Sequence, residues 1–117
     1  MIKDEIRIGN YVYKLYGSRG YVIDIVNKST FTGSTRIKPI LLNEFNFSKC
    51  EEIKNIAGAY YISLPNLKAE LHLVVYKKKV TGMIKSDFCE LVLDELKSLH
   101  QLQNLYFSLT NKELTIK

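Results

Sequence analysis

The side chains that could carry chemistry are few: His72 and His100, the acids Asp87, Glu90, Asp94 and Glu95, the cysteines Cys50 and Cys89, and several lysines and tyrosines. A hydrolytic triad needs a nucleophile, a base and an orienting group, and no Gly-x-Ser-x-Gly elbow is present to display the nucleophile. The two histidines stand in unrelated contexts, so surface or boundary packing is expected of each. Paired carboxylates do acid and base work only where their surroundings push the two pKa values apart. Here Glu90 and Asp94 fall on the wet face of an expected strand, and Asp94 and Glu95 lie at a strand-to-helix junction. Neither cysteine belongs to a Cys-x-x-Cys pair, and each is expected to be reduced and buried or half-buried. No catalytic residue, metal ligand or cofactor is expected.

A second set of residues suits nucleic acid. Tyr11 and Tyr13 are odd positions of one expected strand and share a face, with Lys14 and Arg19 nearby. Tyrosines and cations on one sheet can stack bases and meet phosphates. Lys77-Lys78-Lys79 is the densest charge run and would add affinity that falls as salt rises. The competing readings are half-buried packing for the tyrosines and a solvated turn for the lysines, which also guard hairpin ends against aggregation. Gly17-Ser18-Arg19-Gly20 has the letters of a KH-type Gly-x-x-Gly loop, but strands flank it where helices would be required. Arg19-Gly20-Tyr21 is similar to the opening of an RNP1 element and departs from it at Val22 and Ile23.

These groups must be positioned by short elements. Tyr11 to Tyr16 and Tyr21 to Val26 read as a hairpin about Gly17 to Gly20, with Val12, Val22 and Ile25 supplying an inward apolar face. A polar turn region, Asn27 to Ser34 with Gly33, leads to a third strand, Thr35 to Lys38, ended by Pro39, which makes a three-stranded meander. Asn43 can cap a helical turn containing Glu44. Ala59 to Leu64 reads as a strand entering a turn at Pro65-Asn66. Ala69 to Tyr76 and Val80 to Ile84 form a second hairpin around the lysine triplet. Phe88 to Leu99 mixes strand and helix periods, and strand followed by helix is favoured. Ser98 with Gln101 has capping-box spacing, and Leu99, Leu102, Leu105, Tyr106 and Leu109 follow at helical intervals, with Gln101, Gln103, Asn104 and Ser108 facing elsewhere. Asn111 can stop this helix, leaving a tail or closing strand.

The chain has 117 residues, 46% of them hydrophobic and 25% charged, which suits one core and a single domain over residues 1–117. Seventeen Lys and Arg against twelve Asp and Glu give a formal charge of +5, a mild bias toward acidic partners. No run approaches a membrane span, and Met1 to Glu5 lack a signal peptide's apolar stretch, so the cytoplasm is the expected location and no membrane partner is expected. The expected fold is α+β: an antiparallel sheet with a partly barrel-like N-terminal meander, and an amphipathic helix from Ser98 to Thr110 packed on its open face.

Gly9-Asn10-x-Val12 followed by Gly20-x-Val22-x-x-Ile25 resembles the opening hairpin of SH3-like barrels, including KOW-type modules, many of which bind nucleic acid. Ile6-Arg7-Ile8-Gly9-Asn10-Tyr11-Val12, Pro39-Ile40-Leu41-Leu42 and the run from Leu99 to Thr110 together resemble a family of small uncharacterised bacterial proteins of prophages and mobile elements. That resemblance implies no activity, cofactor or catalytic residue. A non-catalytic binding or adaptor module with a protein partner is the leading expectation. A nucleic-acid binder using Tyr11, Tyr13, Lys14, Arg19, Lys77, Lys78 and Lys79 is the alternative, and uncovered edge strands leave homo-oligomers open.

Overall fold

The computed structural model describes residues 6–28, 30 and 36–116, with 44 and 45 as backbone only. Three strands, β1 (Tyr11–Leu15), β2 (Tyr21–Ile25) and β3 (Ile37–Lys38), precede a four-residue helical turn, α1 (Glu44–Phe47). Five more follow: β4 (Lys54–Ile56), β5 (Ala59–Leu64), β6 (Ala69–Tyr76), β7 (Lys79–Ser86) and β8 (Glu90–Leu96). The helix α2 (Leu99–Thr110) comes last. All strand pairs are antiparallel and the class is α+β, as expected. The strands form two open sheets, ordered β2-β1-β3 and β4-β5-β6-β7-β8, and the described residues close no barrel. The first sheet is also no meander, because β3 pairs with β1 and leaves that strand in the centre. The turn expected around Gly33 and the start of the third strand at Thr35 lie outside the described residues.

The first hairpin forms where the sequence places it, with Tyr11 opposite Ile25 and Leu15 opposite Tyr21. A single 3₁₀ turn over Gly17–Arg19 joins the strands, and Gly17 and Gly20 take φ of 50° and 72°, which residues with a Cβ rarely adopt. Val12 is fully buried, but Val22 and Ile25 are 38% and 43% exposed: Val22, opposite Lys14, lies on Val12's face, and Ile25, opposite Tyr11, on the other. Side chains alternate along a strand, so residues three apart point to opposite sides and cannot both join one core.

In the larger sheet the alternation is regular. Ile62, Leu64, Leu71, Leu73 and Val80 are buried, and their neighbours Tyr61, His72 and Met83 form a cross-strand row on the other face. β8 continues as strand to Leu96 and shifts register against β7 between Thr81 and Met83. Gly82 sits at that shift, where a Cβ would lie 3.4 Å from side-chain carbons of Leu93 and Leu96.

Helix α2 starts and stops where the sequence indicates. The Gln101 Oε1 accepts from the N–H of Lys97 at 2.7 Å and of Ser98 at 3.2 Å, the Gln half of a capping box. At the other end Asn111, with φ of 59°, donates its N–H to the Phe107 carbonyl at 2.7 Å. Leu99, Leu102 and Tyr106 join the core as expected. Gln101, Gln103 and Asn104, expected to face away, are buried too, as is His100. The helix packs against β1 of one sheet and β8 of the other, so two of its sides are covered and a single apolar stripe understates its burial. The Gln103 amide accepts from the Tyr11 N–H at 2.7 Å and donates to the Gly9 carbonyl at 3.3 Å, and Asn10 Nδ2 donates to Asn104 Oδ1 at 3.1 Å.

The chain after α2 returns to the core. Leu114 is buried, Ile116 bridges Cys50, and Glu113 receives both guanidinium nitrogens of Arg7 at 2.7 and 2.8 Å. Cys50 is buried as expected, whereas Cys89 is exposed, because the turn between β7 and β8 carries it away from the core.

Candidate functional site

The residues set aside for nucleic acid fall in three places. Tyr11 and Tyr13 are half-buried against the core, which occupies the face on which bases would stack. Lys14 lies on the opposite face of β1, buried, with Nζ 3.7 Å from Asp24 Oδ2. The Tyr16 hydroxyl also donates to Asp24, and this bond, then the Ile25 N–H and the Lys14 charge, holds the Asp24 carboxyl below the usual carboxylate range. Arg19 is exposed in the hairpin turn. Lys77, Lys78 and Lys79 belong to the other sheet. A cation does meet aromatic rings at Lys38, which the sequence reading passed over: its Nζ is 4.2 Å from the Tyr21 ring centre and 5.6 Å from that of Tyr13.

The ionisable groups do not converge. Asp87, Glu90, Asp94 and Glu95 are exposed, and His72 pairs with Glu70 at 3.2 Å while its ring stacks on Tyr61. Among the described residues no three His, Cys, Asp or Glu side chains are grouped to hold a metal ion. No helix among them is long and apolar enough to cross a membrane.

Of the lysine triplet, Lys78 alone lines a cleft, which opens beside the turn that the triplet makes. Lys77 and Lys78 make the two-residue connection between β6 and β7 with φ of 49° and 65°. Both therefore occupy the left-handed region that such turns usually fill with Asn and Gly. Lys77 Nζ lies 5.4 Å from the Tyr76 ring centre. Beside the turn opens a cleft of about 660 Å³ with an apolar floor of Leu41, Leu42, Val75, Val80 and Leu96 and a rim of Lys78, Lys97, Glu95 and Asn43. That volume falls in the range of ligand pockets.

The cleft wall is held by main-chain bonds. Residues 40–42 run antiparallel to 97–99: the Leu42 N–H donates to Lys97 O at 3.0 Å, and the Leu99 N–H to Ile40 O at 2.8 Å. The α1 cap fixes the other side, with Asn43 Oδ1 accepting from the Asn46 N–H at 2.9 Å and the Asn46 amide donating to the Leu41 carbonyl. Ile40 and Leu42 are thereby turned into the core and Leu41 outward, 68% exposed. No ion pair among the described residues engages Lys78 or Lys97. Sequence reasoning found Lys78 but missed Leu41 and Lys97, since the cleft draws on three stretches far apart in the chain. The one available signal was Leu41 itself, an apolar residue in a run that fits neither the strand nor the helix period.

Comparison with protein-family models, with curated proteins and with solved structures yields no match.

Proposed function

We propose that this chain is a non-catalytic binding or adaptor module of the cytoplasm whose partner is a protein, received in the cleft beside the β6–β7 turn. The observation that carries this reading is an apolar floor, with Leu41 largely bare, beneath the two lysines Lys78 and Lys97, which no ion pair among the described residues engages and which outnumber the one rim carboxylate, Glu95. Exposed apolar surface rimmed by charge is characteristic of interaction sites. Such a site selects a segment with a large apolar side chain flanked by acids. A setting in a prophage or mobile element rests on the resemblance carried by residues 6–12, 39–42 and 99–110.

The test is a titration of isotope-labelled protein with a pool of hexapeptides, two apolar residues between acidic pairs, and separately with oligothymidylate. Shifts clustered on Leu41, Val75, Val80 and Lys97 with the peptides, lost in Leu41→Asp, are the expected result. Salt-sensitive shifts with the oligonucleotide alone, centred on Lys77 to Lys79, would instead establish the nucleic-acid alternative.

A further inference from the structure

We propose that the chain assembles head to tail, with Phe88 of one copy entering the cleft of the next. The proposal rests on reading that cleft as a protein-binding site, and names its occupant.

Phe88 is 96% exposed, more than any other large apolar side chain described. A tight turn holds it there: the Ser86 N–H donates to Cys89 O at 2.9 Å, and the N–H groups of Phe88 and Cys89 lie 3.4 and 3.3 Å from Ser86 Oγ. A side chain presented by a bonded turn loses less freedom on docking than one on a loose loop. Acids flank it, as the cleft requires. Asp87 has no ion pair among the described residues, and Glu90 reaches only Lys85, at 4.0 Å. The apolar ring between carboxylates therefore matches the apolar floor in polarity, and in charge it suits a rim where Lys78 and Lys97 outnumber Glu95 two to one.

Knob and cleft stand at opposite ends of one strand pair. β7 begins beside Lys78 and ends at Ser86, while β8 begins at Glu90 and ends at Leu96, next to Lys97. Eight strand residues place the two ends roughly 26 Å apart, too far for a copy to fill its own cleft. The contact therefore joins different surfaces of successive copies, which propagates as an open chain or closes as a ring.

Sedimentation velocity over a concentration series tests the proposal. The wild-type chain should sediment faster as concentration rises, and less so at high salt. Phe88→Asp and Leu41→Asp should each weaken association about tenfold or more, and both change exposed residues, so far-UV circular dichroism should be unchanged. Mixed in equal amounts they should form dimers and nothing larger, since one keeps an intact cleft and the other an intact knob. Asp87→Lys should likewise dissociate, and Lys78→Glu on the same chain should restore assembly. A wild-type chain that stays monomeric throughout, an oligomer indifferent to both Asp substitutions, or a mixture that fails to pair overturns the proposal. If the monomeric chain still binds the acidic peptides at the cleft, only self-assembly is lost; if it binds neither, the protein-binding reading falls with it.

Discussion

At the scale of single residues, the β6–β7 turn and Asp24 are the places where local chemistry has a measurable cost or gain. Lys77 and Lys78 hold left-handed backbone that a Cβ disfavours by roughly 1 to 2 kcal/mol per residue, a cost that Asn and Gly largely escape. Replacing the pair with Asn-Gly should stabilise the protein by about 1 kcal/mol and raise Tm by about 4 °C, while weakening peptide binding at the cleft. Calorimetry beside the titration would check both, and a lower Tm would contradict the strain. Asp24 supplies a pH dependence. Its carboxyl titrates lower in the fold than in the open chain, so its contribution is fully present above the unfolded value, near pH 4, and is lost as pH falls through the folded one. The side chain is close to half exposed and the effect is correspondingly modest. Tyr16→Phe removes the largest cause, so the Asp24 titration followed by carbon NMR should move up toward the ordinary range. An unmoved titration would show that the hydroxyl does not hold the carboxylate.

At the scale of elements, α2 decides the fold, because it is gripped from two directions. Leu102, fully buried, should tolerate no charge: Leu102→Asp leaves an unpaired carboxylate in the core and should abolish cooperative unfolding. The polar flank is as demanding. Gln103→Leu has no burial problem of its own, yet it strands the Tyr11 N–H and the Gly9 carbonyl and should cost about 2 kcal/mol or more in denaturant melts. A variant as stable as wild type would mean those groups find other partners. The limits of the helix were legible in the sequence, because Ser98, Gln101 and Asn111 act through bonds to their own backbone neighbourhood. The second sheet against it was not. Glutamine and asparagine on a helix face read as solvent contacts until a neighbouring backbone is known to need them. Strand β6 and its turn were likewise evident from alternation and the lysine break, whereas setting Ile25 on one face with Val12 and Val22 ignored the two-residue period, and Val22, though on that face, stays exposed. The cleft stayed hidden because only pairing between residues 40–42 and 97–99 creates its wall.

At the scale of the whole molecule, the fold is long, 49 Å by 27 Å by 23 Å, and residues 7 and 113, far apart in sequence, are tied together. Arg7 forks onto Glu113 and lies 4.5 Å from the Phe107 ring centre, and Leu114 closes the core between them. The ion pair is partly exposed and contributes less than about 1 kcal/mol. Leu114 matters more: Leu114→Ala should cost roughly 2 to 5 kcal/mol of unfolding free energy, and a loss below 1 would show that the tail merely rests on the surface. The contrast between the two sulfhydryls carries a practical consequence. Cys50 is sealed in the interior while Cys89 stands bare one position from Phe88, so an alkylating reagent has a single quick target, and the speed of its attack becomes a gauge of how often that end of the protein is covered.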